Sequence, residues 1–167
     1  MKTKLFQSIL FVVLAMAMVT TNAQNSKQEV LTAANLTVGS MGDLCKNGGL
    51  EILRQEETYI KINVNISDSL RVAVYLDLNT NKEFIIINTQ MAFIDGCSAA
   101  TAKELISKIN TQTNFIKAGY NSEAQIDFRY YFWTKDGYTA EGLISAIEEF
   151  KLCFLYAVSL DTDNILK

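Results

Sequence analysis

Histidine is absent from this 167-residue chain, and that omission removes most of the usual reaction centres. Without an imidazole there is no Ser-His-Asp or Cys-His nucleophile pair and no His-ligated metal site. Carboxylates remain: 18 Asp and Glu residues leave a carboxylate-pair hydrolase formally open. Their positions, however, are those that strand edges, turns and helix caps produce. Three cysteines, Cys45, Cys97 and Cys153, have neither CxxC spacing nor a basic cluster to lower a thiol pKa, so thiol redox chemistry is not expected. Their spacings fit no zinc motif. Asp77-Leu78-Asn79-Thr80-Asn81 imitates the start of a calcium loop. Its sixth position is Lys82 where Gly is required, and its twelfth is Asn88 where a bidentate Glu is required. A hairpin turn using Asn for left-handed backbone angles accounts for it better. The expectation is a non-enzymatic protein with no catalytic residues, metal or cofactor.

The residues that exceed a bland domain are aromatic. Gln125–Thr134 alternates, with Ile126, Phe128, Tyr130 and Phe132 on one face and Asp127, Arg129, Tyr131 and Trp133 on the other. Tyr131 and Trp133 point away from the first set and are not needed for the same core. Aromatics on an otherwise polar sheet face bury large area at low entropic cost and can form a binding patch. With Tyr75 and Tyr59 they make the candidate partner-binding set, suited to an extended peptide, another protein or a second copy of the chain. The ordinary alternative is that a loop or helix covers them, or that they pair with aromatics on neighbouring strands.

The elements that would position this set read as follows. Thr101 and Glu104 form a capping-box pattern, and Ala102, Leu105, Ile106 and Ile109 fall on one helical face. Asn110 to Asn114 is polar and ends that helix. A short strand, Phe115–Tyr120, a turn at Asn121-Ser122-Glu123 and the alternating strand follow. Gly137 turns the chain, and Thr139 caps a long helix with a stripe of Leu143, Ile144, Ile147, Phe150, Phe154, Leu155 and Val158. Upstream, a short helix is expected from Val38 to Lys46, stopped by Asn47-Gly48-Gly49. Four strands follow: Leu50–Gln55, Thr58–Asn65, Leu70–Leu78 and Glu83–Ala92. Phe84–Ile87 is apolar on both faces, as in a central or doubly covered strand. Short, turn-rich joins make neighbours antiparallel. The fold class is therefore α+β, an antiparallel sheet with helices packed on one face.

The stretches AKELISKINTQTNFIKAGY and DGYTAEGLISAIEEF, with the alternating strand between them, resemble the YbjN family, described as bacterial sensory transduction regulators. The resemblance covers roughly 57–154. It implies a fold like that of type III secretion chaperones and a chaperone-like or regulatory role through contact with a protein. It carries no catalytic residues over, and the family is commonly cytoplasmic.

This chain departs on that last point. Met1–Ala23 has Lys2 and Lys4, an apolar stretch from Leu5 to Val19, and small residues at Thr21 and Ala23. That is the form of a secretory signal peptide, too short to favour a spanning helix. The expected organisation is 1–23 signal peptide, 24–37 a loose lead-in, 38–160 one domain and 161–167 a polar tail. Export would place the mature protein in the periplasm or outside the cell, with no stable membrane anchor. Losing two lysines and no acid takes the net charge from −3 to −5. An acidic domain without a basic run is a poor nucleic-acid binder, since Lys and Arg supply most of that affinity. Export also permits a disulfide. Cys45 and Cys97, in polar, Gly-containing surroundings, are the expected pair if one forms, with Cys153 left as a small core residue. The rival function is a carrier of a small ligand or lipid in an apolar pocket between sheet and helices.

Overall fold

Strand alternation builds the sheet first. A computed structural model describes residues 29–66, 71–121 and 125–167. The expected signal peptide and the turns at Ser67-Asp68-Ser69 and Ser122-Glu123 lie outside those residues. Among the described residues there are six strands: β1 (Glu51–Gln55), β2 (Tyr59–Asn65), β3 (Arg71–Leu78), β4 (Phe84–Ala92), β5 (Lys117–Tyr120) and β6 (Gln125–Trp133). They form one sheet in the order β1-β2-β3-β4-β6-β5, every pair antiparallel. Each strand lies within two residues of its expected bounds, because period-two alternation is a direct record of which side of a sheet is wet.

Three α-helices among the described residues, α1 (Val38–Asn47), α2 (Ala99–Gln112) and α3 (Ala140–Ser159), cover one face. The inward residues of the strands (Ile60, Ile62, Val74, Leu76, Ile85, Ile87, Ile126 and Phe128) and the helix stripes form one core. Met41 and Cys45 enter it from α1, Leu105 and Ile109 from α2, and Leu143, Ile147, Phe150 and Phe154 from α3. Phe154 meets Phe128 edge-on, with ring centroids 5.1 Å apart. Such a pair adds about 0.5–1.5 kcal/mol to the area it buries. Gly48, at the end of α1, lies so close to Ile144 of α3 that a Cβ there would collide with it. The helix stop is thus also a packing contact.

Several expectations are corrected. The cap of α2 is Ser98, whose hydroxyl accepts from the Thr101 N–H at 3.1 Å; Thr101 is its first-turn partner. α2 ends at Gln112, inside the polar run expected to end it, but Asn110 does not bond the local backbone. It remains helical and clasps β5 with its side chain, accepting from the Ala118 N–H and donating to the Ala118 carbonyl at 2.8 Å each. The turn comes at Thr113, whose hydroxyl reaches the carbonyls of Ile109 and Ile116, and β5 starts two residues late as a result. Thr139 caps α3 as expected, accepting from the Gly142 N–H at 2.9 Å.

Both ends of the described chain belong to the fold. Leu31 exchanges backbone hydrogen bonds with Tyr138, and Leu36 is fully buried. The supposed polar tail 161–167 turns back onto the sheet. Asp161 accepts from the N–H groups of Ile165 and Leu166, Ile165 is buried, and Leu166 bridges Phe93. Cys45 and Cys97, the pair expected if a disulfide formed, are not joined: all three thiols are free. Cys45 lies under α1 in the core, where burial pushes its thiol up to about 11.

Candidate docking face

No helix among the described residues covers the second face of the sheet, and its composition follows from strand parity. With Ile85 and Ile87 directed inward, Phe84 and Ile86 must point outward. Register then sets the rungs. Tyr59 stands opposite Asp77, Asp77 opposite Ile86, and Ile86 opposite Tyr131. Phe84 stands opposite Trp133, and Tyr75 opposite Asn88, which faces Arg129.

The four expected contact residues all lie on this face, but in two groups. Tyr131 and Trp133 both pack edge-on against Phe84, with centroids 5.4 and 5.6 Å away. This group is open to solvent: Trp133 is 65% exposed and Tyr131 41%. Tyr59 and Tyr75 pack together at 5.7 Å and are half-buried, with the Lys61 ammonium 5.1 Å from the Tyr75 ring centroid. The first group is the stronger candidate, because its largest ring is exposed while held by a neighbour. Phe84 and Ile86 were not among the sequence candidates. β4 is central, but it is covered on one side only.

A polar strip separates the groups. Asn88 is buried and donates its side-chain amide to Asp77. Burial raises the Asp77 carboxyl above its ordinary value, with the Asn88 amide pulling the other way and Asp127 adding to the rise. Asp127 is 4% exposed, pairs with Arg129 through one oxygen and leaves its Oδ1 without a hydrogen bond. Desolvation pulls the Arg129 guanidinium down, but Asp127 and the Tyr131 hydroxyl outweigh it and hold it above its ordinary value. Arg129 therefore ties the polar strip to the exposed aromatic group.

The calcium-like stretch resolves into a turn. The Asn79 side chain accepts from the N–H groups of Glu83 and Phe84 at 2.9 and 3.2 Å. The left-handed residue is Lys82, φ 56°, and not an Asn. Asp77, which would lead the loop, faces Asn88. On the opposite side, Tyr130 donates its hydroxyl to Glu149 at 2.9 Å, and burial pushes that phenol up to about 12. This bond fastens α3 to β6.

No family model matches the chain, nor does any curated protein. Among solved structures, the chain is similar to E. coli YbjN, a proposed transcription regulator. The TM-score is 0.63 at 11% identity, over 79% of this chain and 96% of that one. It is also similar to the Yersinia pestis type III secretion chaperone SycH, solved in complex with a stable fragment of YscM2. There the TM-score is 0.47 at 16% identity, over 75% and 100% of the two chains. The first likeness establishes a YbjN-like fold, as the sequence resemblance implied. At that identity it speaks of fold alone.

Proposed function

We propose that this chain is an exported, non-enzymatic protein-binding module, chaperone-like or regulatory, that docks its partner on the uncovered face of the sheet. The observation that carries this reading is the Phe84–Tyr131–Trp133 group. Large aromatics held against one another and open to solvent, here where β4 begins and β6 ends, are the kind of residue that dominates interface energetics. The polar strip beside them offers the exposed Arg129 guanidinium for fixing orientation.

Hydrolysis by paired carboxylates has little support here. Asp77 and Asp127 are near neighbours, but one accepts from Asn88 and the other is neutralised by Arg129. Export rests on the form of 1–23, and on nothing in the fold.

The test is chemical crosslinking and capture from the envelope and secreted fractions, comparing the wild type with Trp133→Ala and Tyr131→Ala, beside size exclusion of each. Both variants should melt like the wild type and lose most of the captured partner, or, if the partner is a second copy, lose the dimer. Undiminished capture by both would place docking elsewhere.

A further inference from the structure

The sheet parts along one line. The β3–β4 ladder runs from Leu78↔Ile85 to Tyr75↔Asn88 and stops. β3 nevertheless continues to Arg71 against β2, and β4 continues to Ala92 against β6. Between the diverging ends lies a cleft of about 460 Å³. It takes residues from both sheet faces, so it passes through the sheet toward α3.

Its lining is chemically divided. The floor is Met91 of β4 with Phe154, Leu155 and Val158 of α3, and the rim carries Lys61 and Arg71. Among the described residues no carboxylate lines it. Leu155 belongs by spacing to the stripe of α3, yet it is 38% exposed, because the cleft takes the place of the sheet beneath it.

The backbone at the gap is already engaged. The Thr89 hydroxyl donates across it to the Ala73 carbonyl at 2.8 Å, and the Ala92 carbonyl accepts from the Lys167 N–H at 2.9 Å. A strand added there would find those acceptors taken, so backbone pairing is not how an occupant is read. What remains is an apolar floor and a basic rim. The volume falls in the lower half of the roughly 300–1,000 Å³ of small-molecule sites.

We infer that this cleft binds a single-chain fatty-acid carboxylate, its alkyl chain along the α3 floor and its head at Arg71. A guanidinium matches a carboxylate through two parallel hydrogen bonds, while Lys61, drawn over Tyr75, adds charge at the rim. The site differs from a closed pocket between sheet and helices in that it is entered where β3 and β4 part.

The experiment is isothermal titration calorimetry of the full chain with oleate below its micelle-forming concentration, with oleyl alcohol and acetate as controls. Arg71→Gln and Leu155→Asp are run beside the wild type, with thermal melts confirming that each folds. The expected result is saturable 1:1 binding of oleate, with the alcohol and acetate each at least about tenfold weaker. Loss of the charge-assisted contact should weaken Arg71→Gln by about tenfold, and Leu155→Asp should abolish binding. No saturable binding of oleate overturns the inference. So does wild-type affinity in both variants, which would put the ligand elsewhere, the apolar N-terminal stretch included. Equal binding of oleyl alcohol would remove the role of Arg71.

Discussion

Phe128 and Trp133 lie on opposite faces of β6, and their environments differ enough to predict opposite consequences. Phe128 is fully buried against Phe154, so Phe128→Ala should cost about 3–5 kcal/mol of unfolding free energy. Trp133 touches Phe84 and solvent, so Trp133→Ala should cost about 1 kcal/mol at most. Urea melts of the two variants distinguish them, and equal losses would put Trp133 in a core. Asp77 carries a pH prediction with the opposite sign to most carboxylates. Its folded pKa lies above the ordinary 3.8 because burial disfavours the charge. Its contribution to stability is therefore full below 3.8 and is lost as pH rises through the folded value. Asp77→Asn removes that loss, so the variant should gain in melting temperature relative to wild type at neutral pH. The gain should shrink toward zero as the pH falls to about 3.8. A difference that grows on acidification would reverse the assigned cause.

At the scale of elements, local hydrogen bonds decide where helices begin and where strands are tied. Ser98 and not Thr101 opens α2, so Ser98→Ala should destabilise by about 1 kcal/mol, while Glu104→Ala should be near neutral. A larger loss from Glu104→Ala would restore the capping box read from the sequence. Most elements were legible for a simple reason: Ile60, Ile62 and Val64, or Ile126 and Phe128, declare their buried face by spacing alone. The run Asn110 to Asn114 did mark the end of α2, but the reach of Asn110 to Ala118 was not legible, because a polar run looks the same whether its side chains compete with the local backbone or cross to another element. The segment 161–167 was misread for a similar cause. Its acids and amides suggest solvent, but Asp161 spends its carboxylate on turning Ile165 inward. Tertiary partners of polar side chains leave no period in a sequence.

The whole molecule is a one-sided sandwich. Helices fill one face with a single core, and the other carries aromatics that the fold does not consume. That asymmetry could be inferred from the alternation of β6, whereas β4, apolar on both faces, did not declare it. The grouping of Tyr131 and Trp133 about Phe84 could not, since strand order β3-β4-β6 is needed to bring them together. Nor could the parting of β3 from β4, since nothing in the residue pattern of either strand marks where the ladder between them ends. A second exposed apolar area, Leu152 and Tyr156 on the outer side of α3, is the direct competitor for a partner. The most direct measurement places a photocrosslinking residue at Tyr131 in one sample and at Leu152 in another, then identifies adducts by mass spectrometry. The open-face account expects a discrete protein adduct from position 131 and only scattered background from 152. The same adduct from position 152 with none from 131 would contradict it.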